Sequence, residues 1–277
     1  MDTLTAFILL HLPAWLLVLF RITGIFIFSP MLGGLAIPRQ VKVALAVGLS
    51  FCIYPALVPG LDTPAWSPAE HAMAGIMAGE LSLWSLAPLV VAELIVGLVI
   101  GYVATLPIAA MQLGGRVIDQ QMGLAFAQIV NPELGEESSP IAEIYFIAAL
   151  SLFIIANGHL AMIDILLSTF QQVGLGTFRA DGFLLDLLVT LVDTAFGLAV
   201  RVAAPLLAAV FLVEAAMGFM MRSVPQINIM TIGFIVRILV GAAVLVGGVT
   251  MMHETFFEAW QGFLGELAGW FGSWRSG

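Results

Sequence analysis

Residues 94–123 read LIVGLVIGYVATLPIAAMQLGGRVIDQQMG. Leu94 to Gly115 carries no charge, and adjacent glycines, Gly114 and Gly115, close that run. Arg116, Asp119, Gln120 and Gln121 follow, bracketed by Met111 and Met122, with Gln112 just ahead and Gly123 at the end. A glycine inside a helix costs about 1 kcal/mol relative to alanine. A charge held at the centre of a bilayer costs about 2.5–3.5 kcal/mol. The pattern predicts an apolar helix that breaks into a polar segment over 111–123. Irregular polar backbone at membrane depth persists only where protein buries it or where it lines a cavity. The segment therefore reads as a conduit, a plug or a tight subunit contact, or else as an ordinary loop at the membrane surface.

The rest of the chain sets the solvent. Of 277 residues, 61% are hydrophobic and 10% charged, with a mean hydropathy of +1.09. Soluble domains carry about 25% charged residues, so the composition is that of an integral membrane protein, and the size suits one helical bundle. The balance of 9 basic and 18 acidic residues gives a net charge of −9. That excludes nucleic-acid binding, which needs a basic footprint. A single cysteine, Cys52, rules out an intrachain disulfide framework and a thiolate metal cluster, and its setting reads as that of a small buried hydrophobe. The N-terminus does not read as a cleaved signal, because Asp2 stands where a basic region belongs.

A spanning helix needs about 20 apolar residues. Ala6–Phe20 and Ile22–Ile37 flank Arg21, with Pro30 and Gly33-Gly34 predicting a break. Val43–Leu61 is a further candidate. Ser67-Pro68-Ala69-Glu70 reads as a capping box opening a helix toward Ala87. The next helix, from about Pro88 to Leu113, carries Glu93. An acidic loop, Asn131 to Glu143, ends in a Ser139-Pro140 helix start. Ile144–Ile163 is the next span, and Gly174, Gly176 and Gly182 mark a loop. Asp186, Thr190, Asp193, Gly197 and Arg201 recur every three or four residues, which predicts an amphipathic face turned to headgroups or a partner. Val202–Met221 and Ile227–Met252 close the core around a turn at Arg222–Gln226, and Trp260, Trp270 and Trp274 suggest an interfacial C-terminal helix. By the positive-inside rule the Arg39–Lys42 loop is cytoplasmic.

No zinc-ligand spacing, phosphate-binding glycine loop or nucleophile elbow is present. His11, His71, His159 and His253 are scattered; Gly158-His159 with Asp164 is the one pairing that suits a proton relay, although a lone histidine in such a span is more often a structural donor. Glu93, Glu214 and Arg237 sit alone in apolar runs, and each needs a partner inside the chain or on a neighbouring subunit. Gly97 and Gly101 fit the small-xxx-small spacing that lets helix backbones approach. The methionines at 111 and 122 read as flexible filler or, around a pore, as a deformable seal; Met217, Met220 and Met221 read as ordinary packing.

Gly115 to Gly123, followed by Asn131-Pro132, the acidic loop and Gly158-His159, resembles the FliR family of type III export proteins. Arg21 through Pro30, Pro38 and Lys42 agree in order with the family's first segment. Glu93, Gly97 and Gly101 agree with its helix into the central segment, and Pro225–Asn228 with Ile232-Gly233-Phe234 agrees with its C-terminal hairpin. The likeness spans about residues 10–255. Ile235 stands where the family often has proline, and Arg237 where it often has lysine.

The resemblance implies an all-α subunit of an export gate, shared with FliP-like and FliQ-like subunits, beside an FlhB-like protein, and passing unfolded proteins across the bacterial inner membrane at the flagellar basal body. It implies a FliP-like part over 1–185, a FliQ-like hairpin over 186–255 and a tail over 256–277. It implies that 111–123 plugs the closed channel, with Met111, Gln112, Gly114, Gly115, Arg116, Asp119, Gln120, Gln121, Met122 and Gly123 as gating residues. Glu93, Gly97, Gly101, Glu214, Arg222, Pro225 and Arg237 are expected at subunit contacts. No catalytic role and no cofactor are implied. The alternative is an autonomous secondary transporter with its substrate site at the broken helix.

Overall fold

The computed structural model describes residues 3–30, 33, 37–57, 83–124, 139–178, 182–223 and 229–274. The expected capping box at 67–70, most of the acidic loop and residues 224–226 of the expected turn lie outside these residues, while Arg222 and Ser223 of that turn are still helical. Eight helices make up the described chain: α1 (Thr3–Phe28), α2 (Arg39–Leu57), α3 (Leu83–Met122), α4 (Pro140–Ile155), α5 (Gly158–Gln172), α6 (Gly182–Ser223), α7 (Ile229–Gly247) and α8 (Val249–Trp274). The fold class is all-α.

Among the described residues, four helices are long and apolar enough to cross a bilayer: His11–Phe28, Arg39–Leu57, Leu86–Met122 and Phe183–Arg222. The bent pairs α4–α5 and α7–α8 raise the count to six if each pair is one span. Two helices exceed any bilayer. At 1.5 Å per residue, α3 and α6, with 40 and 42 residues, are about 60 Å long, twice the hydrocarbon thickness of about 30 Å.

The chain forms two compact units, each assembled from separate stretches. One comprises Met1–Thr105, Asn157–Leu191 and Phe263–Gly277; the other comprises Leu106–Ala156 and Val192–Gly262. In the first unit α1 runs unbroken through Arg21 and stops at Phe28, just ahead of Pro30. It crosses α3 where neither helix carries a Cβ. A Cβ on Gly24 would stand 2.5 Å from the Leu94 carbonyl oxygen, and one on Gly101 would stand 2.7 Å from that of Ile25. A Cβ on Gly97 would run into the Arg21 carbonyl. These glycines therefore serve packing within the chain, where subunit contacts were expected of Gly97 and Gly101. α2 rests on α1 through a thin stripe of Ala46, Ser50 and Ile53. Val43 is exposed, the Phe51 ring lies 4.9 Å from Trp15 of α1, and Cys52 is exposed rather than buried.

The span expected at Ile144–Ile163 is two helices. α4 ends at Ile155, and Asn157 takes a left-handed φ of 55° before α5 begins at the buried Gly158. α7 and α8 are likewise parted at Gly248, whose N–H still donates to Val244 at 2.8 Å. α8 departs from the interfacial reading. Phe256, Trp260, Phe263, Leu267, Trp270 and Phe271 are buried along one face, with the Trp260 ring 5.1 Å from Phe153 and the Trp270 ring 6.1 Å from Phe178. The aromatic face packs on protein because a 3–4 spacing of large rings buries more apolar area than scattered contact with headgroups.

Candidate functional site

The motif at 111–123 is not a loop. α3 continues through Gly114 and Gly115 and ends at Met122. It is closed by a left-handed Gly123 with φ 79°. The Gly123 N–H donates to Gln120 at 3.2 Å, and the Leu124 N–H reaches back to Asp119 at 3.1 Å. This is the Schellman arrangement, which satisfies the last carbonyls of a helix and favours glycine at its left-handed position. The glycine pair does not break the helix because its packing offsets the cost in propensity. A Cβ on Gly115 would stand 2.7 Å from the Ala142 Cα at the start of α4, and one on Gly114 would stand 3.0 Å from the Ala199 carbonyl of α6.

The two sides of this helix end differ in kind. Met111, Gly114, Gly115, Ile118, Asp119 and Met122 face inward. Ile118 and Met122 pack with Ala203, Leu206 and Val210 of α6, and Met122 lies against Gly241 of α7. Outside that buried face lie Gln112, half-buried, and Arg116, Gln120 and Gln121, all exposed. The spacing of 112, 116 and 120 places these three polar groups on one stripe. Met111 and Met122 thus belong to the core of this chain, and Asp119 is buried while Arg116, less than one turn back on the same helix, is exposed.

Asp119 is 3% exposed. Its carboxylate accepts the Ser139 hydroxyl, the Ile141 N–H at 3.2 Å and the Ala142 N–H at 3.4 Å. Ser139 occupies the N-cap position of α4 but makes no side-chain cap of its own. The first N–H groups of a helix lack intrahelical partners and attract negative charge, and here a carboxylate twenty positions earlier in the sequence supplies it.

A second polar cluster lies in the first unit. Arg21 and Glu93 are both fully buried and meet at 2.5 Å. Arg21 also donates to the Thr169 hydroxyl and the Val173 carbonyl, each at 3.3 Å, and stacks 4.5 Å from the centre of the Phe170 ring. The second oxygen of Glu93 accepts the Gly176 N–H at 2.7 Å, in a turn where Gly176 has a φ of 72°. Glu93 is therefore spent within the chain, where a subunit contact was expected. Its partner was readable only as a complement: Arg21 is the lone base in one apolar run and Glu93 the lone acid in another. Nothing in the sequence pointed to Thr169 or Val173.

Of the other residues expected at subunit contacts, Glu214 and Arg237 meet each other at 3.1 Å, with side chains 45% and 38% exposed. Arg222 is exposed, and Pro225 lies outside the described residues. The stripe from Asp186 to Arg201 is exposed throughout, and Arg201 pairs with Glu258 at 3.0 Å. His159 is half-buried and Asp164 exposed, and no hydrogen bond joins them among the described residues. No group of three metal-ligating side chains occurs among the described residues.

Comparison with known proteins supplies the context. The family model described as "Bacterial export proteins, family 1" matches residues 12–263. The flagellar biosynthetic protein FliR of Escherichia coli (strain K12) is 30% identical over 229 residues, 82% of this chain and 80% of that protein. FliR of Bacillus subtilis (strain 168) is 29% identical over 239 residues, 84% of this chain and 85% of that protein. The Yop proteins translocation protein T of Yersinia pestis is 27% identical over 169 residues, 60% of this chain and 65% of that protein.

Proposed function

The chain belongs to the bacterial export proteins of family 1, the FliR family, and on that premise we propose that it is a structural and gating subunit of a flagellar type III export gate in the bacterial inner membrane. Its role there is non-catalytic. It helps build and close the channel through which unfolded flagellar proteins leave the cytoplasm.

The observation that carries this reading is the divided end of α3. One side is fixed by glycine contacts, a buried carboxylate and apolar packing; the other offers Gln112, Arg116, Gln120 and Gln121. Amide side chains hydrogen-bond as donors and acceptors without a fixed sign of charge. Such a stripe can close against neighbouring subunits and tolerate an unfolded polypeptide of any sequence in passing. The plug is accordingly the outward side of a helix end.

FliP-like and FliQ-like subunits and an FlhB-like neighbour are the partners. The length of α3 and α6 supports protein partners, since about 30 Å of each helix must lie beyond the hydrocarbon while the apolar sequence continues. Phe196, Phe211 and Phe219 are exposed along α6. The division into a FliP-like part to residue 185 and a FliQ-like hairpin over 186–255 is supported by α6 and α7, whose contacts step away from the turn together: Met217 with Gly233, then Glu214 with Arg237.

Co-expression with the FliP-like and FliQ-like proteins of the same organism tests the reading. Native mass spectrometry of the detergent extract should show a discrete hetero-oligomer. A stable monomer or homo-oligomer with no partner bound would refute it.

A further inference from the structure

We propose that Asp119 is a positioning residue: by capping the N-terminus of α4 it fixes the rotation of the end of α3 and holds the Gln112–Arg116–Gln120 stripe outward. This rests on the gate reading above. The physical case begins with redundancy. A Ser-Pro pair at a helix start is competent to cap its own helix, yet the Ser139 hydroxyl turns to Asp119 and makes no cap of its own. A carboxylate from another helix here does for α4 what its own Ser139 is competent to do, and burying it removes it from water at a cost that only its hydrogen bonds offset. What it adds is a tie between two helices.

The geometry of the tie is rotational. Gly115 and Asp119 are one turn apart on the same face, and both meet the first turn of α4. Gly115 lets the backbones approach, and Asp119 closes the contact with directional bonds. A turn of α3 by one residue position, about 100°, would break all three bonds to Asp119 and carry the polar stripe off its side. The same residue also ends the helix, through its carbonyl and Leu124. Neither Ile118 nor Met122 can set rotation so sharply, because apolar contacts are not directional.

The test uses the assembled gate, co-expressed with its FliP-like and FliQ-like subunits and reconstituted in liposomes, in a Cys52→Ala background. Ion leak is measured, and assembly is checked by native mass spectrometry. Asp119→Asn, which keeps the shape and loses the charge, should raise the leak by about tenfold, the effect of weakening one charge-assisted hydrogen bond. The pair Asp119→Cys with Ser139→Cys should be tight when oxidised to a disulfide and leaky when reduced, reversibly; a merely destabilising change would not follow the redox state. The triple variant Gln112→Ala, Arg116→Ala, Gln120→Ala tests the stripe independently. If it leaks while Asp119→Asn and the reduced cysteine pair stay as tight as the parent, the positioning role is wrong and the gate reading stands. A leak in the cysteine pair that persists after reoxidation also overturns the positioning role. If no variant leaks, both fall.

Discussion

Glu93, in the first half of α3, is fully buried against Arg21; Arg116, in the second half, is exposed beside Gln120. Both halves use glycines to bring backbones together: Gly97 and Gly101 against α1, Gly114 and Gly115 against α6 and α4. In the first half every charge is consumed within the chain. In the second, one charge is consumed, Asp119, and one is presented, Arg116. The same residue types produce a closed joint in one place and a one-sided surface in the other. What separates them is whether a complementary group faces the charge inside the fold.

The largest effect that would break this contrast lies at the closed joint. Removing one partner of a buried ion pair costs about 3–5 kcal/mol, so Arg21→Met or Glu93→Ala should abolish accumulation of folded protein or lower its melting temperature sharply in detergent. The double variant Arg21→Met, Glu93→Leu should recover much of the loss, since an apolar replacement leaves no orphaned charge; a double variant no better than either single would show that the pair is not the unit. Next, Gly97→Ala should cost about 1–3 kcal/mol through overpacking, because its Cβ would meet backbone that cannot swing aside. Gly48→Ala serves as the control, with open space at that position. If thermal unfolding moves both equally, the α1–α3 crossing is looser than described.

The open side predicts the reverse pattern. Arg116→Ala with Gln120→Ala should change stability by about 0.5 kcal/mol or less, as surface substitutions do, while altering leak or export in the assembled gate. A large loss of thermal stability in the isolated chain would mean that the stripe is not free. Smallest of all, breaking the Arg201–Glu258 pair, whose side chains are 55% and 72% exposed, should cost about 0–1 kcal/mol. A double-mutant cycle in low salt measures it.

The sequence shows its limits at Gly114-Gly115. Adjacent glycines followed by charges have the composition of a break, and local propensity favours that reading. The helix persists because α4 and α6 approach the bare backbone there, which is information about neighbours distant in sequence. Ser139 misleads in the same way: its hydroxyl belongs locally to a cap and is used by Asp119. The buried tryptophans of α8 carry the composition of an interfacial anchor and are claimed by the core.

Composition and apolar run length by themselves determined the solvent, the helical class and the approximate place of most helices, because these depend on hydropathy and on glycine and proline placement near each element. Motif order determined the family. Only the tertiary structure decided which lone charges meet, which glycines pack, and which side of the 111–123 segment stays open. Those outcomes are pairings across tens to more than a hundred residues, such as Arg21 with Val173, and the sequence near either partner does not encode the other.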